Sequence, residues 1–411
     1  MSAPSADGAP SRAPAPAGAD EAKLLAYREA FPSLTKGVHL ISHSLGAMPR
    51  AAREAALQYH EEWEEMANTA WHVWLPRVTE VANVIARVLG VDDGTVSIHN
   101  NVSSVQAAVA SCFTFEGPRN KIVYDELNFS TVHYVWREQT RRGAEVCVVR
   151  GRDGIHAPID ELLAAIDERT LLVPISHVLF RSSGLYDAKR VIDRAHEVGA
   201  MVLLDCYQSA GTVPLALKEW GCDMACGGSV KWACGGAGCA YLYTRPDLAK
   251  TLKPAATGWF SHAEPFAFDM GPMRYADDAW RMVGGTPAMP AVYAASAGWK
   301  LLAEIGVDGI RKKSLRQTAL LRSLVEERGL TVNTPAGDDE RGGTICFDFD
   351  GSQAVSQAMA KRRFFHDYRP QCGLRVSPHY YTTDDELRAF MAALDEVRAE
   401  GGALPVARGG Y

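Results

Sequence analysis

The stretch GGSVKWACGGAGCAYLY, residues 227–243, holds one lysine, Lys231, between an apolar run and a glycine cluster. No carboxylate stands beside it in sequence, so an ammonium buried there would lose its water with no local partner. A lysine in a desolvated pocket has a lowered pKa and becomes a nucleophile. Asp205 closes a second apolar run, MVLLD (201–205), and a carboxylate ending a buried strand is costly unless it is paired. Either residue alone has a plain alternative, a surface lysine and an ion-paired or capping aspartate. Together, on neighbouring strand ends, they fit one chemistry: the amine holds an aldehyde as a Schiff base and the carboxylate holds a protonated ring nitrogen.

Pyridoxal 5'-phosphate (PLP) makes those two demands, and it also needs donors for its phosphate and a face against its ring. The segment HNNVSSVQAAVASCF (99–113) places Ser103 and Ser104 at the start of an amphipathic helix that follows a strand. Free N–H groups and hydroxyls at a helix start bind anions, although plain N-capping explains the same serines. In NFSTVHYVW (128–136), Phe129 follows the next strand and offers a stacking ring, or a core residue. Gly235, Gly236 and Gly238 permit tight turning after the lysine. They match neither a dinucleotide fingerprint nor a P-loop.

The elements that must position these residues alternate. Strand candidates stand at TVSIH (95), KIVYD (121), EVCVV (145), LLVPIS (171), MVLLD (201) and DMACGG (223), most of them separated by room for a helix. That order predicts a mostly parallel sheet covered on both faces. The short gap between DMACGG and CAYLYT (239–244) leaves no room for a crossover, so this pair is expected to be antiparallel. Lys231 then lies in a short connection at a sheet end, where open α/β sheets bind ligands. The segment RVTEVANVIARVLG (77–90) has helical spacing and closes on Gly90. Beyond about residue 288 two long helical patterns, short strands near TICFDF and GLRVSPHYY, and the helix DDELRAFMAALDEVRAE read as a compact α+β unit.

Composition narrows the function classes. The chain has 411 residues, 47% hydrophobic and 22% charged, with a net charge of −6, so no basic stripe invites nucleic acid. Residues 1–20 are rich in Ala, Pro, Gly and Ser, and are expected to be a disordered tail without the apolar core of a signal peptide. No apolar run is long enough to cross a membrane, and a cytoplasmic location is expected. Nine cysteines in such a chain read as free thiols, and their spacing lacks metal-ligand pattern, so no metal is expected.

The ordered set HSLGAMP (43–49), NFST (128–131), DCYQSAGTVPL (205–215), GGSVKWACGGAGCAYLY (227–243), GWFSH (258–262), GTP (285–287) and DYRPQCGLRVSPHYYTTDDE (367–386) resembles the class V aminotransferase superfamily of fold-type-I PLP enzymes. Within it the chain is most similar to kynureninase and its relatives. The resemblance implies a mostly parallel seven-stranded sheet with helices on both faces and a smaller α+β C-terminal domain. It implies an N-terminal segment (21–49) packed on the small domain, a large PLP-binding domain (50–288) and a small domain (289–411). Carried over, Lys231 is the Schiff-base lysine and Asp205 the pyridinium partner. Gln208 lies beside the ring, Phe129 stacks on it, and Ser103, Ser104 and Ser229 bind the phosphate. Trp259 and Thr286 reach a cofactor across a homodimer boundary. Arg375 clamps the substrate α-carboxylate, for which its planar fork is suited.

His43 and Ser44 in HSLGAMP, and His72 in ANTAWHVW, are candidate substrate contacts, with packed or surface histidines as the plainer reading. The implied reaction is cleavage of an amino-acid side chain between Cβ and Cγ. Gln208, Val230 and Thr286 depart from the kynureninase pattern and favour transamination, epimerisation or Cβ–S lysis of another amino acid.

Overall fold

The computed structural model describes residues 19–400. Seven strands form the main sheet: β1 (Val96–His99), β2 (Lys121–Asp125), β3 (Glu145–Val149), β4 (Thr170–Ser176), β5 (Met201–Asp205), β6 (Met224–Gly228) and β7 (Ala240–Thr244). Their spatial order is β1-β7-β6-β5-β4-β2-β3. Adjacent strands run parallel except at β7, which is antiparallel to both β6 and β1. The short β6–β7 connection therefore behaves as its length requires.

Every residue of β2, β6 and β7 is buried. Alternate side chains feed separate cores on the two faces: Val123, Val202, Leu204 and Ala225 enter one, and Ile122, Tyr124, Leu203 and Met224 the other. That alternation is the pleat of a sheet covered on both sides. The helices Trp71–Leu89, Ala188–Glu197 and Met289–Ile305 pack on the first face. The first of these begins six residues before the span read from the sequence and carries Pro76 inside it, and it ends on Gly90 at φ 69°. Its apolar face is strong enough to absorb the one backbone bond a proline removes.

The C-terminal domain carries a four-stranded antiparallel sheet built from β8 (Thr331–Val332), β9 (Ile345–Asp348), β10 (Asp367–Arg369) and β11 (Gly373–Val376), in the order β10-β11-β9-β8. A third core, with Leu320, Phe347, Leu374 and Phe390, lies between this sheet and its helices.

Residues 1–18, most of the predicted tail, lie outside the described residues, and the helix Ala19–Ala26 begins where they end. The N-terminal segment lies against the C-terminal domain: Val38–His39 pairs in parallel with Phe364–Phe365. Arg28 bonds Glu386 at 2.9 Å, and Glu21 bonds Arg316.

Candidate active site

β5 ends on Asp205, and its polar terminus opens into a cavity of about 310 Å³ at the carboxyl ends of the parallel strands. The carboxylate is 5% exposed, and its Oδ1 accepts the Tyr207 backbone N–H at 2.9 Å. Among the described residues no cationic side chain pairs with it. Burial raises its pKa, opposed by the Tyr207 N–H and by the charge of Lys231.

Lys231 stands in the loop between β6 and β7 and reaches the same cavity. Its Nζ lies over the rings of Tyr207 and Phe129, 4.3 Å and 5.5 Å from their centres. Burial brings the ammonium down to about 8, opposed by Asp205 and Asp367 and assisted by Arg375 and Arg369. Glycines let this loop be gripped tightly. Gly46 N–H donates to Val230 O at 2.8 Å, and a Cβ at residue 46 would lie 2.2 Å from the Lys231 carbonyl oxygen. From the other side, a Cβ at Gly298 would lie 1.8 Å from the Ala233 carbonyl oxygen.

The helix Val102–Ala110 points its N-terminus at the cavity, which Asn100, Asn101, Val102 and Ser103 line. Ser103 Oγ bonds Thr131 Oγ1 at 3.1 Å, and both residues border the cavity. Phe129 is 42% exposed and packs edge-on against Phe180 at 5.2 Å. Gln208 is fixed between two partners: its Nε2 donates to His43 O at 2.9 Å, and Trp232 Nε1 donates to its Oε1 at 3.1 Å.

So the cavity joins Lys231, Asp205, Gln208, Phe129 and Ser103 of the residues named from sequence. The others lie elsewhere. Ser104 Oγ turns back to donate to Asn101 O at 2.7 Å, completing a capping box. Ser229 is fully buried and spends its hydroxyl on Cys239 O and Trp299 Nε1, at 2.8 Å each. Trp259 packs against Phe260, Phe266 and Phe268, and neither it nor Thr286 borders the cavity of its own chain. His72 is exposed on a helix, and Ser44 lies outside the cavity lining.

Arg375 and His43 sit behind the cavity wall, converging on Asp367. Arg375 donates to Asp367 at 2.8 Å and 2.6 Å and to Phe180 O at 2.7 Å, and Phe180 is part of the lining. His43 is buried between Asp367 Oδ1 at 2.9 Å and Ser377 Oγ at 2.7 Å. Burial, with the Arg375 charge, brings it down to about 4, so it is a neutral imidazole at physiological pH. Asn101, Thr131, Tyr207, Phe180 and Asp367 are the participants that sequence reading left unnamed. Thr131 and Tyr207 lie inside motifs already singled out, NFST and DCYQ, and were within reach.

Residues 44–363 match the model of the family described as aminotransferase class-V. The chain belongs to that family. Among curated relatives it is 32% identical over 374 residues to the uncharacterized aminotransferase YcbU of Bacillus subtilis, covering 91% of this chain and 97% of that one. It is 27% identical over 377 residues to the kynureninase of Bacillus anthracis, covering 88% of each chain. Of solved structures, the cysteine desulfurase CsdA of Escherichia coli has a TM-score of 0.80 at 20% identity, covering 92% of this chain and 98% of that chain. The cystine C–S lyase C-DES, in complex with its product cysteine persulfide, has a TM-score of 0.80 at 20% identity, covering 89% and 98%. These likenesses bear out the fold-type-I architecture.

The cofactor of this class V protein is PLP, and the residues present fit it. A buried carboxylate without a cationic partner, a depressed lysine facing it and an exposed aromatic face are otherwise unexplained costs. Asp205 would hold the ring nitrogen, Lys231 the aldehyde carbon and Phe129 a ring face. Ser103 and the helix N-terminus would hold the phosphate.

Proposed function

We propose that this PLP enzyme acts on an α-amino acid and cleaves its side chain between Cβ and Cγ, as a kynureninase-like hydrolase. The observation that carries the reading is Lys231: its amine is depressed to about 8 and faces a carboxylate in a shared cavity. PLP, when bound, supplies a ring that accepts electron density from the substrate α-carbon. Asp205 would keep the ring nitrogen protonated, and the Lys231 amine would be the group placed to carry a proton at the substrate α-carbon. Gln208 holds its place beside the ring through His43 O and Trp232 Nε1. Arg375, braced by Asp367, orients the substrate carboxylate. Similarity to kynureninases over most of the chain supports the bond assignment.

The second reading keeps the cofactor and changes the bond, to transamination, epimerisation or Cβ–S lysis. Val230 favours it, because this cavity residue offers no hydroxyl where kynureninases carry tyrosine. A persulfide route through a protein cysteine is disfavoured by placement. Cys346 and Cys372 do not line the cavity, and Cys239, which does, is held by burial up to about 11. Incubation with kynurenine, with cysteine and with cystine separates the readings. Alanine with anthranilate supports the first; pyruvate or alanine with released sulfur replaces it.

A homodimer with shared sites accompanies this reading. Trp259 and Thr286 lie away from their own chain's cavity, and Phe266, Phe268 and Met270 beside them are exposed. Light scattering showing a monomer at working concentration would remove it. No described helix is long and apolar enough to cross a membrane, and a cytoplasmic location is part of the proposal.

A further inference from the structure

Tyr207 has no role in the chemistry described so far, yet its ring centre lies 4.3 Å from Lys231 Nζ, nearer than that of Phe129 at 5.5 Å. Its backbone N–H donates to Asp205 Oδ1 at 2.9 Å, and its phenol lies against the end of the strand at Gly228. The phenol reaches that position because residue 228 is glycine: a Cβ there would lie 2.6 Å from the Tyr207 Oη. Burial, with the Asp205 charge, keeps the phenol proton on, so the ring face is that of a neutral tyrosine. One residue thus meets the Asp205 carboxylate through its backbone, and the strand end and the lysine through its ring.

We propose that Tyr207 is a positioning residue of the cofactor cleft, a second aromatic wall beside Phe129 that holds the Lys231 amine in place and favours its protonated state. The electron-rich face of a neutral aromatic ring attracts a cation. A planar cofactor ring gains by lying against the same face. Isolated packing of a core tyrosine would predict neither effect.

The test uses full-length holoenzyme and needs no substrate. PLP affinity is measured by titrating the dialysed protein while following visible absorbance, and the pH midpoint of the uptake rate, which reports the free Lys231 amine, is recorded. Tyr207→Phe keeps the face and loses only the phenol oxygen, so its affinity stays within about twofold of wild type. Tyr207→Leu removes the face, and affinity falls about five- to tenfold. Pentafluorophenylalanine at position 207 keeps the shape and inverts the ring's charge distribution. Its midpoint moves to lower pH by about half a unit relative to Tyr207→Phe. A folded Tyr207→Leu protein with wild-type affinity overturns the proposal. If that variant does not fold, an unchanged midpoint in the fluorinated protein overturns it instead. Wild-type protein that takes up no PLP would refute the cofactor assignment itself, a separate result.

Discussion

Asp367 and Arg375 stand directly opposite each other across β10 and β11, and the carboxylate takes the guanidinium through Nε at 2.8 Å and Nη2 at 2.6 Å. His43 closes the other side of the same carboxylate. Such a bidentate pair fixes the plane of the arginine as well as its charge. A third donor, Nη1, is held by Phe180 O at 2.7 Å, so the guanidinium is fixed from two sides.

Removing one member of this pair is therefore expensive. Asp367→Ala leaves Arg375 buried without its counter-ion, and a loss of about 3–5 kcal/mol is expected in urea unfolding. Burial alone would raise the Asp367 carboxyl, but the His43 hydrogen bond and the Arg375 ion pair hold it well below the usual carboxylate range. Its folded pKa lies below its unfolded one, so the pair's stability is present above the ordinary aspartate pKa and is lost only as pH falls further. The gap between wild type and Asp367→Ala should persist at pH values where exposed carboxylates are already protonated. A gap that closes with ordinary carboxylate titration would refute the pairing.

Lys231 imposes a cost on the cofactor-free protein. Its folded pKa, about 8, lies below that of an unfolded lysine, so the charged form is penalised at neutral pH. The penalty is full below the folded value and fades as pH rises toward the unfolded one. Lys231→Met should stabilise the apoprotein by about 1–3 kcal/mol at pH 7, with the gain shrinking at alkaline pH. A thermal melt showing no gain at pH 7 would contradict the desolvated setting.

On the proposed reading the same amine governs cofactor capture. Only neutral Lys231 attacks an aldehyde, so the second-order rate of PLP uptake should rise about tenfold per pH unit below the lysine pKa. It should level off near pH 8. Stopped-flow absorbance across this range checks it, and a rate still climbing toward the pKa of a free lysine would place the amine in water.

Asn128 carries the Phe129 wall. Its Oδ1 accepts the Ser176 N–H at 2.6 Å and its Nδ2 donates to Asp125 Oδ2 at 2.6 Å, all of it buried. Tyr186 donates to the same Asp125 oxygen at 3.0 Å. Asn128→Ala strands the buried Ser176 N–H and takes one donor from Asp125, at about 1–3 kcal/mol, and loosens the ring that faces Lys231. Urea unfolding and PLP affinity should fall together; a stability loss with unchanged affinity would separate the loop from the site.

Much of the sheet was legible because its causes are local. Short apolar runs, helical spacing and the brief gap before CAYLYT determine strand existence and the antiparallel turn at β7. Lys231 and Asp205 could be found because each is a charged residue at the end of an apolar run. Asp367 could not, since its value lies in a cross-strand register with Arg375 that no spacing reveals. Tyr207 went unnamed in the sequence, and the gap left by Gly228 shows what space its phenol occupies while its ring face meets the lysine. Trp259 and Thr286 do not border the cavity of their own chain, so nothing in its geometry tests their expected place.

The clasp on the lysine loop has a consequence for biosynthesis. Gly46 and Gly298 press on it from opposite sides, and His379 Nε2 bonds Trp232 O at 2.8 Å, so contacts from near both ends of the chain meet around residue 232. A ribosome-bound chain that has not yet emitted residue 379 lacks one jaw of that grip. Contacts so distant in sequence form late. Vitamin B6 should thus be taken up only by finished chains, making the coloured protein its own certificate of completed folding.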